Sequence, residues 1–326
     1  MNDSNLDSTL PRVDKRTAGI GDYVAIARLD HWFKNVFVLP GVAVAIGIGA
    51  DFSLQSAFSV VLALIATGLT ASANYTINEY LDAESDRFHP VKSSRPSALG
   101  LINPRLMTVQ WTVLSCSGLS LAYAVGPTVC GTLAALLFMG IVYNVEPIRS
   151  KDRPYLDVIS ESINNPIRFL VGWFALAPEA IPPASILLSY WMGGAFLMAI
   201  KRYAEYRFIG DPQQAAQYRR SFAGYSESTL LQSSFLYANL SALFLGVFLI
   251  KYRIEFLLSL PFFALLFVWY LRMGMRSDSV AQRPEKLYRE GRFVLFVFLL
   301  TGVVITCFFV DVPWLEDLFV VQRAQQ

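Results

Sequence analysis

The chain has 326 residues, of which 54% are hydrophobic, 14% aromatic and only 16% charged, and its formal net charge is +2. Together with a mean hydropathy of +0.44, this composition excludes an ordinary soluble globular protein and is typical of a polytopic membrane protein. We therefore expect membrane lipids around the chain and no nucleic-acid partner.

The predicted elements begin with a flexible polar tail over residues 1–24, and one membrane domain follows over residues 25–326. Aromatic and cationic side chains mix at the start of this domain, where Trp32, Phe33 and Lys34 indicate a segment at the membrane interface. Long apolar runs then predict an all-α bundle of about nine transmembrane helices. They lie near residues 35–50, 57–77, 106–125, 127–143, 158–178, 184–200, 229–250, 254–271 and 292–311.

The orientation of the bundle follows from the distribution of lysine and arginine. All but four of the 27 cations fall in the N-terminal part or in the loops on one side of the predicted membrane. Because cytoplasmic loops carry the excess of cations, this side is predicted to be cytoplasmic, in the inner membrane. Carboxylates are concentrated in the same loops, so we expect a polar cavity and any chemistry at the cytoplasmic face.

The densest polar stretch follows the second predicted span. Asn78, Asp82 and Asp86 recur at four-residue spacing, so that one continuous helix would place them on one face. Such a row of oxygen ligands suits Mg²⁺ bound together with substrate phosphates, and we predict these three residues as metal ligands. Four possible phosphate-binding residues come next in the chain: Arg87, His89, Lys92 and Arg95.

A second polar stretch begins at Tyr143 and continues into the fifth predicted span. Within that span, Asp157, Glu161 and Arg168 keep a spacing that would place them on one helical face. Charged side chains inside a membrane are costly unless they face a polar cavity or pair with each other. The stretch therefore predicts either a second metal or phosphate site opposite the first motif or a structural network between Glu161 and Arg168.

A third cluster, Lys201-Arg202-Tyr203-Ala204-Glu205, follows the sixth predicted span. Adjacent cations at a cytoplasmic helix end are often topology determinants and lipid-headgroup anchors. They are also suited to receive the phosphate of a lipid, so Lys201 and Arg202 join the candidate substrate-binding residues.

The stretch Asn78-Glu-Tyr-Leu-Asp82-Ala-Glu-Ser-Asp86, followed by Arg95-Pro96, resembles the first aspartate-rich motif of the UbiA superfamily of intramembrane prenyltransferases. Glu79 stands where the superfamily usually has aspartate. A narrower resemblance is to the branch of decaprenyl-phosphate phosphoribosyltransferases. The stretches that carry it are Arg28-x-x-x-Trp32-x-Lys34-Asn35, Asp86-Arg87-x-His89-Pro90-x-Lys92-x-x-Arg95-Pro96, Asp157 with Arg168 eleven residues on, Lys201-Arg202-Tyr203-Ala204-Glu205, and Pro284-Glu285.

The resemblance implies a UbiA-like bundle and a transfer in which a polyprenyl phosphate attacks C1 of 5-phosphoribosyl diphosphate and expels pyrophosphate, with Mg²⁺ as cofactor. Asp82, Asp86 and Asp157 are then the candidate catalytic residues. The candidate substrate-binding residues are Lys34, Arg87, His89, Lys92, Arg95, Tyr143, Glu161, Arg168, Lys201 and Arg202.

Two alternatives remain open from the residues alone. In the first, a prenyl diphosphate is the donor and an aromatic or lipid molecule the acceptor, and the same aspartates and cations would serve. In the second, the chain is a membrane transporter whose pathway is lined by Glu161 and Arg168. The sequence does not predict the oligomeric state.

Overall fold

A computed structural model describes residues 17–252, 254–282 and 284–315. Within these ranges all regular secondary structure is helical, and there is no β-strand. The predicted all-α class is therefore confirmed. The α-helices are α1 (Ile20–Ala27), α2 (Leu39–Gly47), α3 (Leu54–Leu81), α4 (Ala83–Asp86), α5 (Pro104–Val125), α6 (Pro127–Asn144), α7 (Leu156–Ser162), α8 (Asn164–Leu176), α9 (Ala184–Ile209), α10 (Pro212–Tyr218), α11 (Glu227–Tyr252), α12 (Leu260–Gly274) and α13 (Gly291–Phe309). The 3₁₀ segments are Leu29–Val38, Lys92–Ser94, Ser150–Asp152, Arg220–Gly224, Ile254–Ser259, Val280–Gln282 and Pro284–Arg289.

In the part of the chain that the structure describes, five helical segments are long and apolar enough to cross a membrane: α3, α6, α9, α11 and Ile254–Gly274, which joins a 3₁₀ turn to α12. Each of the nine predicted spans overlaps a described helix, but three are interrupted. The first changes from the 3₁₀ segment Leu29–Val38 to α2, the fifth breaks at Ile163 between α7 and α8, and the eighth changes from the 3₁₀ segment Ile254–Ser259 to α12. The number of nine membrane crossings stays a prediction.

The long helix α3 lies at the centre of one half of the bundle, where it packs along α5 and α6. Its buried face is rich in small residues, including Ala63, Ala66 and Gly68, which allow helices to approach closely within a membrane. Asn74 donates a hydrogen bond from Nδ2 to the carbonyl of Leu136 on α6 at 2.8 Å. These contacts fix the end of α3, which carries the first polar motif, beside the end of α6.

Two glycines bring α8 against the first membrane segment. A Cβ atom at Gly41 would lie 1.9 Å from the carbonyl oxygen of Phe169, and one at Gly172 would lie 2.1 Å from that of Val38. Because the neighbouring atoms belong to the backbone, neither position tolerates a side chain. The close approach positions Arg168, on α8, beside the segment that carries Lys34.

Most of the predicted N-terminal tail, residues 1–16, lies outside the described residues. Its last part, from Ile20, belongs to α1. The side chain of Ile26 in this helix is fully buried and packs with Ile102 and Met107. Helix α1 is therefore part of the wall that supports the polar end of the bundle.

Candidate active site

A cavity of about 370 Å³ lies where α3, α6 and α9 approach their C-terminal ends, and α8 and the connecting loops complete its wall. Eight of its lining residues are lysines or arginines: Arg28, Lys34, Lys92, Arg95, Arg168, Lys201, Arg202 and Arg219. Four are carboxylates: Asp82, Asp86, Glu161 and Glu205. The cavity wall therefore carries more positive than negative groups, as a site for anionic substrates requires.

The first polar motif reaches this cavity through an interrupted helix. Asn78 belongs to α3, Asp82 follows the last residue of α3, and Asp86 closes the short helix α4. The prediction of one continuous helix is wrong at Asp82, whose ψ of −1° departs from α-helical geometry. All three side chains nevertheless line the same cavity, so the predicted grouping is present.

Asp82 lies among cations. The Nζ atom of Lys151 donates a hydrogen bond to Oδ1 of Asp82, and a guanidinium nitrogen of Arg149 lies 3.6 Å from the same oxygen. Asn78 donates from Nδ2 to Oδ2 at 3.1 Å. Burial opposes ionisation of this carboxyl group, but Lys151, Arg219 and Arg149 together outweigh it and hold the pKa of Asp82 below its usual range. Asp82 is therefore an anion with its position fixed from two sides.

Asp86 is buried and forms an ion pair with Arg95, whose Nη1 lies 2.7 Å from Oδ2. Here burial outweighs the cation and raises the pKa of the Asp86 carboxyl group. The two carboxylates of the motif thus differ in environment, although both face the cavity.

The oxygen donors of the motif fit Mg²⁺. Mg²⁺ is commonly held by one or two carboxylates together with substrate phosphates and water, rather than by a cage of protein ligands. In keeping with this, no group of three His, Cys, Asp or Glu side chains converges as a metal cage in the part of the chain that the structure describes. Asp82, Asp86 and the amide of Asn78 provide hard oxygen atoms at the cavity wall, which is the donor chemistry that Mg²⁺ prefers.

Asp157 lies behind the cavity wall. Its side chain is fully buried and does not line the cavity. Its carboxylate accepts hydrogen bonds from Arg202 Nε at 3.0 Å, Ser221 Oγ at 3.1 Å and Tyr225 OH at 2.7 Å. Asp157 therefore holds Arg202 in place from behind.

Glu205 joins three elements of the wall. Its carboxylate accepts hydrogen bonds from Lys92 Nζ at 2.6 Å, Tyr218 OH at 2.9 Å and Arg202 Nη1 at 3.3 Å. The ring of His89 meets that of Tyr218 edge-on, with the centroids 4.7 Å apart. Together these contacts fasten the loop after α4 to α9 and α10 at the cavity.

A family model described as the UbiA prenyltransferase family matches residues 35–298. The chain belongs to this family. The decaprenyl-phosphate phosphoribosyltransferase of Mycobacterium tuberculosis strain H37Rv is 30% identical over 213 residues, which cover 65% of this chain and 68% of the relative. The enzyme of the same name from Mycolicibacterium smegmatis is 28% identical over 218 residues, covering 65% and 64%.

The fold is also similar to that of a UbiA homolog. The structure of a UbiA homolog from Archaeoglobus fulgidus bound to GPP and Mg²⁺ superposes with a TM-score of 0.66 at 22% identity, covering 87% of this chain and 99% of that chain. The UbiA-like bundle is thereby confirmed, and the chain is a membrane-embedded transferase. Family membership also decides against the transporter alternative.

Most of the predicted substrate-binding residues meet in this UbiA cavity. Those that line it are Lys34, His89, Lys92, Arg95, Tyr143, Glu161, Arg168, Lys201 and Arg202. Arg87 does not line it, and its Nε donates to the carbonyl of Ala98 at 3.1 Å. Glu161 and Arg168 lie on different helices, because the chain breaks at Ile163. The prediction of one continuous helix through these residues is therefore wrong, although Glu161 and Arg168 line the same cavity.

Several residues of the site carried no clear signal in the sequence. Lys151 is 2% exposed, yet it lies in a short charged loop of the kind that usually sets topology. Arg219 lines the cavity and its Nε is buried without a hydrogen-bond partner. Glu205 was visible only as part of the Lys-Arg-Tyr-Ala-Glu stretch, and its pairing with Lys92 depends on tertiary structure.

Proposed function

We propose that this UbiA family member transfers a 5-phosphoribosyl group from 5-phosphoribosyl diphosphate to a polyprenyl phosphate and releases pyrophosphate. The names of the relatives from Mycobacterium tuberculosis and Mycolicibacterium smegmatis support this substrate pair. So does the match to the same family over residues 35–298. The charge of the cavity favours phosphoribosyl diphosphate over a prenyl diphosphate as the donor.

Eight lysines and arginines face four carboxylates across the described cavity wall. Cations at membrane depth are costly unless they pair with anions or face a polar cavity, so an excess of this size indicates multiply charged ligands. Phosphoribosyl diphosphate and a polyprenyl phosphate together bring three phosphate-bearing groups. A prenyl diphosphate with a neutral aromatic acceptor brings one, which accounts less well for cations on every side of the cavity.

The donor diphosphate is assigned to the end of the cavity that holds the first motif. Asn78, Asp82 and Asp86 would hold Mg²⁺ there. When bound, the metal ion supplies positive charge to the leaving diphosphate as the bond to C1 breaks. Lys92 and Arg95 lie beside these carboxylates and provide hydrogen-bond donors for phosphate oxygens.

The acceptor needs no strong base, because a phosphate monoester is already anionic near neutral pH. One of its oxygens attacks C1 of the ribose while the C1–O bond to the diphosphate breaks. Neither histidine of the cavity wall, His31 or His89, is needed as a proton acceptor. In the proposed reaction, Asp157 keeps Arg202 oriented toward the cavity through its hydrogen bond to Nε.

We propose that the protein lies in the inner membrane and that its site opens to the cytoplasm. The cavity is built from the loops and helix ends that carry the excess of lysine and arginine, which favours the cytoplasmic side. A water-soluble phosphoribosyl diphosphate would reach it from there, while the polyprenyl phosphate would arrive through the membrane.

Two parallel incubations of the purified protein with Mg²⁺ test this proposal. One contains labelled phosphoribosyl diphosphate and a polyprenyl phosphate, and the other contains labelled prenyl diphosphate and an aromatic acid. We expect label in a new lipid product only in the first incubation. Product only in the second would overturn the proposal in favour of prenyl transfer.

A further inference from the structure

Three cavity-lining cations form a group without a carboxylate partner. Arg28 follows α1, Lys34 belongs to the 3₁₀ segment Leu29–Val38, and Lys201 lies on α9. In the described structure, none of these side chains forms an ion pair or donates a hydrogen bond to another residue. We refer to Arg28, Lys34 and Lys201 as the cation cluster.

Two members of the cluster, Arg28 and Lys34, lie over one aromatic ring. The guanidinium carbon of Arg28 lies 5.9 Å from the centroid of Tyr75, and Nζ of Lys34 lies 5.6 Å from it. His31 meets the same ring edge-on, with the centroids 5.3 Å apart. Burial lowers the pKa of His31 strongly, and Lys34, Arg28 and Lys201 lower it further. All three cations therefore act on one small region of the cavity.

A fourth cation of the cavity, Arg168, is also without a carboxylate partner in the described structure. Arg168 is 6% exposed, lines the cavity and has a buried Nε with no hydrogen-bond partner. Its Nη1 donates only to the backbone carbonyl of Asn164, at 3.2 Å. Leaving a charged donor buried and unsatisfied is costly, which indicates a ligand that accepts hydrogen bonds.

Three of the four remaining cavity cations are paired with carboxylates, and the fourth, Arg219, donates from Nη1 to the hydroxyl group of Tyr143 at 3.4 Å. Lys92 pairs with Glu205, Arg95 pairs with Asp86, and Arg202 pairs with both Asp157 and Glu205. The cavity therefore has one part, which includes the oxygen row of the first motif, where the cations are held by carboxylates or by Tyr143, and another part where Arg28, Lys34, Lys201 and Arg168 have no carboxylate partner in the described structure. An anionic group that arrives without its own metal ion is better matched to the second part.

We propose that the cation cluster and Arg168 bind the phosphate group of a lipid monophosphate whose chain extends into the membrane. This inference rests on the proposed function and assigns its acceptor. The segment that carries Lys34 also exposes Phe33 and Val36, with 39% and 54% of their surface accessible. Apolar side chains next to the cations provide a path by which a hydrocarbon chain leaves the cavity toward lipid.

Arg202 does not share the role of Lys201, although the two adjacent cations were both predicted to receive the lipid phosphate. Adjacent residues on a helix point in different directions. Arg202 is paired with Asp157 and Glu205, whereas Lys201 has no carboxylate partner in the described structure. Lys201 contacts the lipid phosphate, whereas Arg202 belongs to the network that supports the wall.

Binding of farnesyl phosphate to the detergent-purified full chain, in buffer with EDTA, tests the proposal without turnover. We expect Lys201→Met and Lys34→Met each to weaken binding by about tenfold or more, since each substitution removes a charge-assisted contact to the phosphate group. Arg105→Gln is the matched control, because Arg105 is an exposed cation that does not line the cavity. We expect it to bind as the wild type does.

Two further ligands separate the possible sources of the anion. Farnesol lacks the phosphate, and inorganic phosphate lacks the chain; we expect both to bind at least tenfold more weakly than farnesyl phosphate. Equal binding of farnesol, or equal binding by the Lys201→Met and Lys34→Met variants, would overturn the proposal. Competition by inorganic phosphate as strong as that of farnesyl phosphate would reassign the cluster to a soluble phosphate.

A melting experiment distinguishes a binding role from a structural one. Because the three cations repel each other, replacing Lys201 by methionine should leave the apo-protein at least as stable as the wild type while it loses affinity. Loss of both stability and affinity would mean that Lys201 supports the fold, and would overturn the assignment.

The inference can also fail independently of the proposed function. Phosphoribosyl transfer by the wild type with an unchanged lipid KM in Lys201→Met would reject the cluster and keep the reaction. Specific binding of farnesyl phosphate without phosphoribosyl transfer would keep the cluster and reject the reaction.

Discussion

Nζ of Lys151 donates a hydrogen bond to Oδ1 of Asp82, a residue that lies 69 positions earlier in the chain. The same nitrogen donates to Oδ1 of Asn144 at 2.9 Å. This pairing joins the loop after α6 to the end of α3, and it neutralises a carboxylate that faces the cavity. Lys151 thus supports the first motif from within the second polar stretch, where the sequence did not single it out.

Replacing Lys151 by methionine should therefore destabilise the protein. Removing one partner of a buried ion pair typically costs about 3–5 kcal/mol, and Arg149 near Asp82 places the expected loss toward the lower end. The measurement is the midpoint of thermal unfolding in detergent. Arg276→Gln, which breaks the exposed pair with Glu290, is the control and should change the midpoint little. An unchanged midpoint in Lys151→Met would contradict the structural role.

Asp82→Asn should abolish most of the transfer activity. Loss of a group that stabilises developing charge commonly lowers kcat by about 10²–10³-fold. The single variant leaves Lys151 without its anion, so the double variant Asp82→Asn/Lys151→Met is also needed. We expect the double variant to regain stability and remain inactive. Activity close to that of the wild type in either variant would contradict the assignment of Asp82.

Removal of divalent cations should stop turnover, and added Mg²⁺ should restore it. In Asp86→Asn, one oxygen ligand is lost, so the concentration of Mg²⁺ for half-maximal rate should rise by about tenfold or more. Asp278→Asn, which changes an exposed carboxylate away from the cavity, should leave the Mg²⁺ dependence unchanged. Full activity in EDTA would contradict the metal assignment.

Glu205→Gln should loosen the loop after α4. The substitution removes the negative charge that Lys92 and Arg202 share, and it leaves Lys92 without an ion-pair partner at 4 Å or less. Hydrogen exchange of residues 87–98 should become faster, while that of α11 stays the same. Glu227→Gln, which alters an exposed pair with Arg207, is the control. Unchanged exchange in the loop would show that Glu205 does not hold it.

Gly172→Ala should destabilise the contact between α2 and α8. The added Cβ would lie 2.1 Å from the carbonyl oxygen of Val38, and overpacking of this kind costs about 1–3 kcal/mol. At Gly302 on α13, a Cβ would meet no atom within 4 Å, so Gly302→Ala should leave the thermal midpoint unchanged or raise it. Equal midpoints for the two variants would contradict the close approach.

The sequence predicted the all-α membrane bundle and the convergence of its polar motifs because both depend on local patterns. Apolar runs define helices, and Asn78, Asp82 and Asp86 line the same cavity although the helix is interrupted at Asp82. The orientation of individual side chains depends on tertiary contacts that spacing does not report. Arg87 hydrogen-bonds to the carbonyl of Ala98, and Asp157 is enclosed by Arg202 and its neighbours.

Residues whose role depends on a distant partner were therefore missed. Lys151 becomes informative only when its 2% exposure and its contact with Asp82 are known. Glu205 likewise gains its role from Lys92, 113 positions away. The sequence showed that cations are abundant, whereas the structure shows which of them remain unpaired.

The cavity is proposed to accept two phosphate-bearing substrates. The most direct test of this proposal is the Mg²⁺-dependent release of pyrophosphate from phosphoribosyl diphosphate by the purified protein, measured with a polyprenyl phosphate and with the corresponding uncharged polyprenol. We expect release only with the polyprenyl phosphate, in a one-to-one ratio with phosphoribosylated lipid. Equal release with the polyprenol, or no release with either lipid, would contradict the claim.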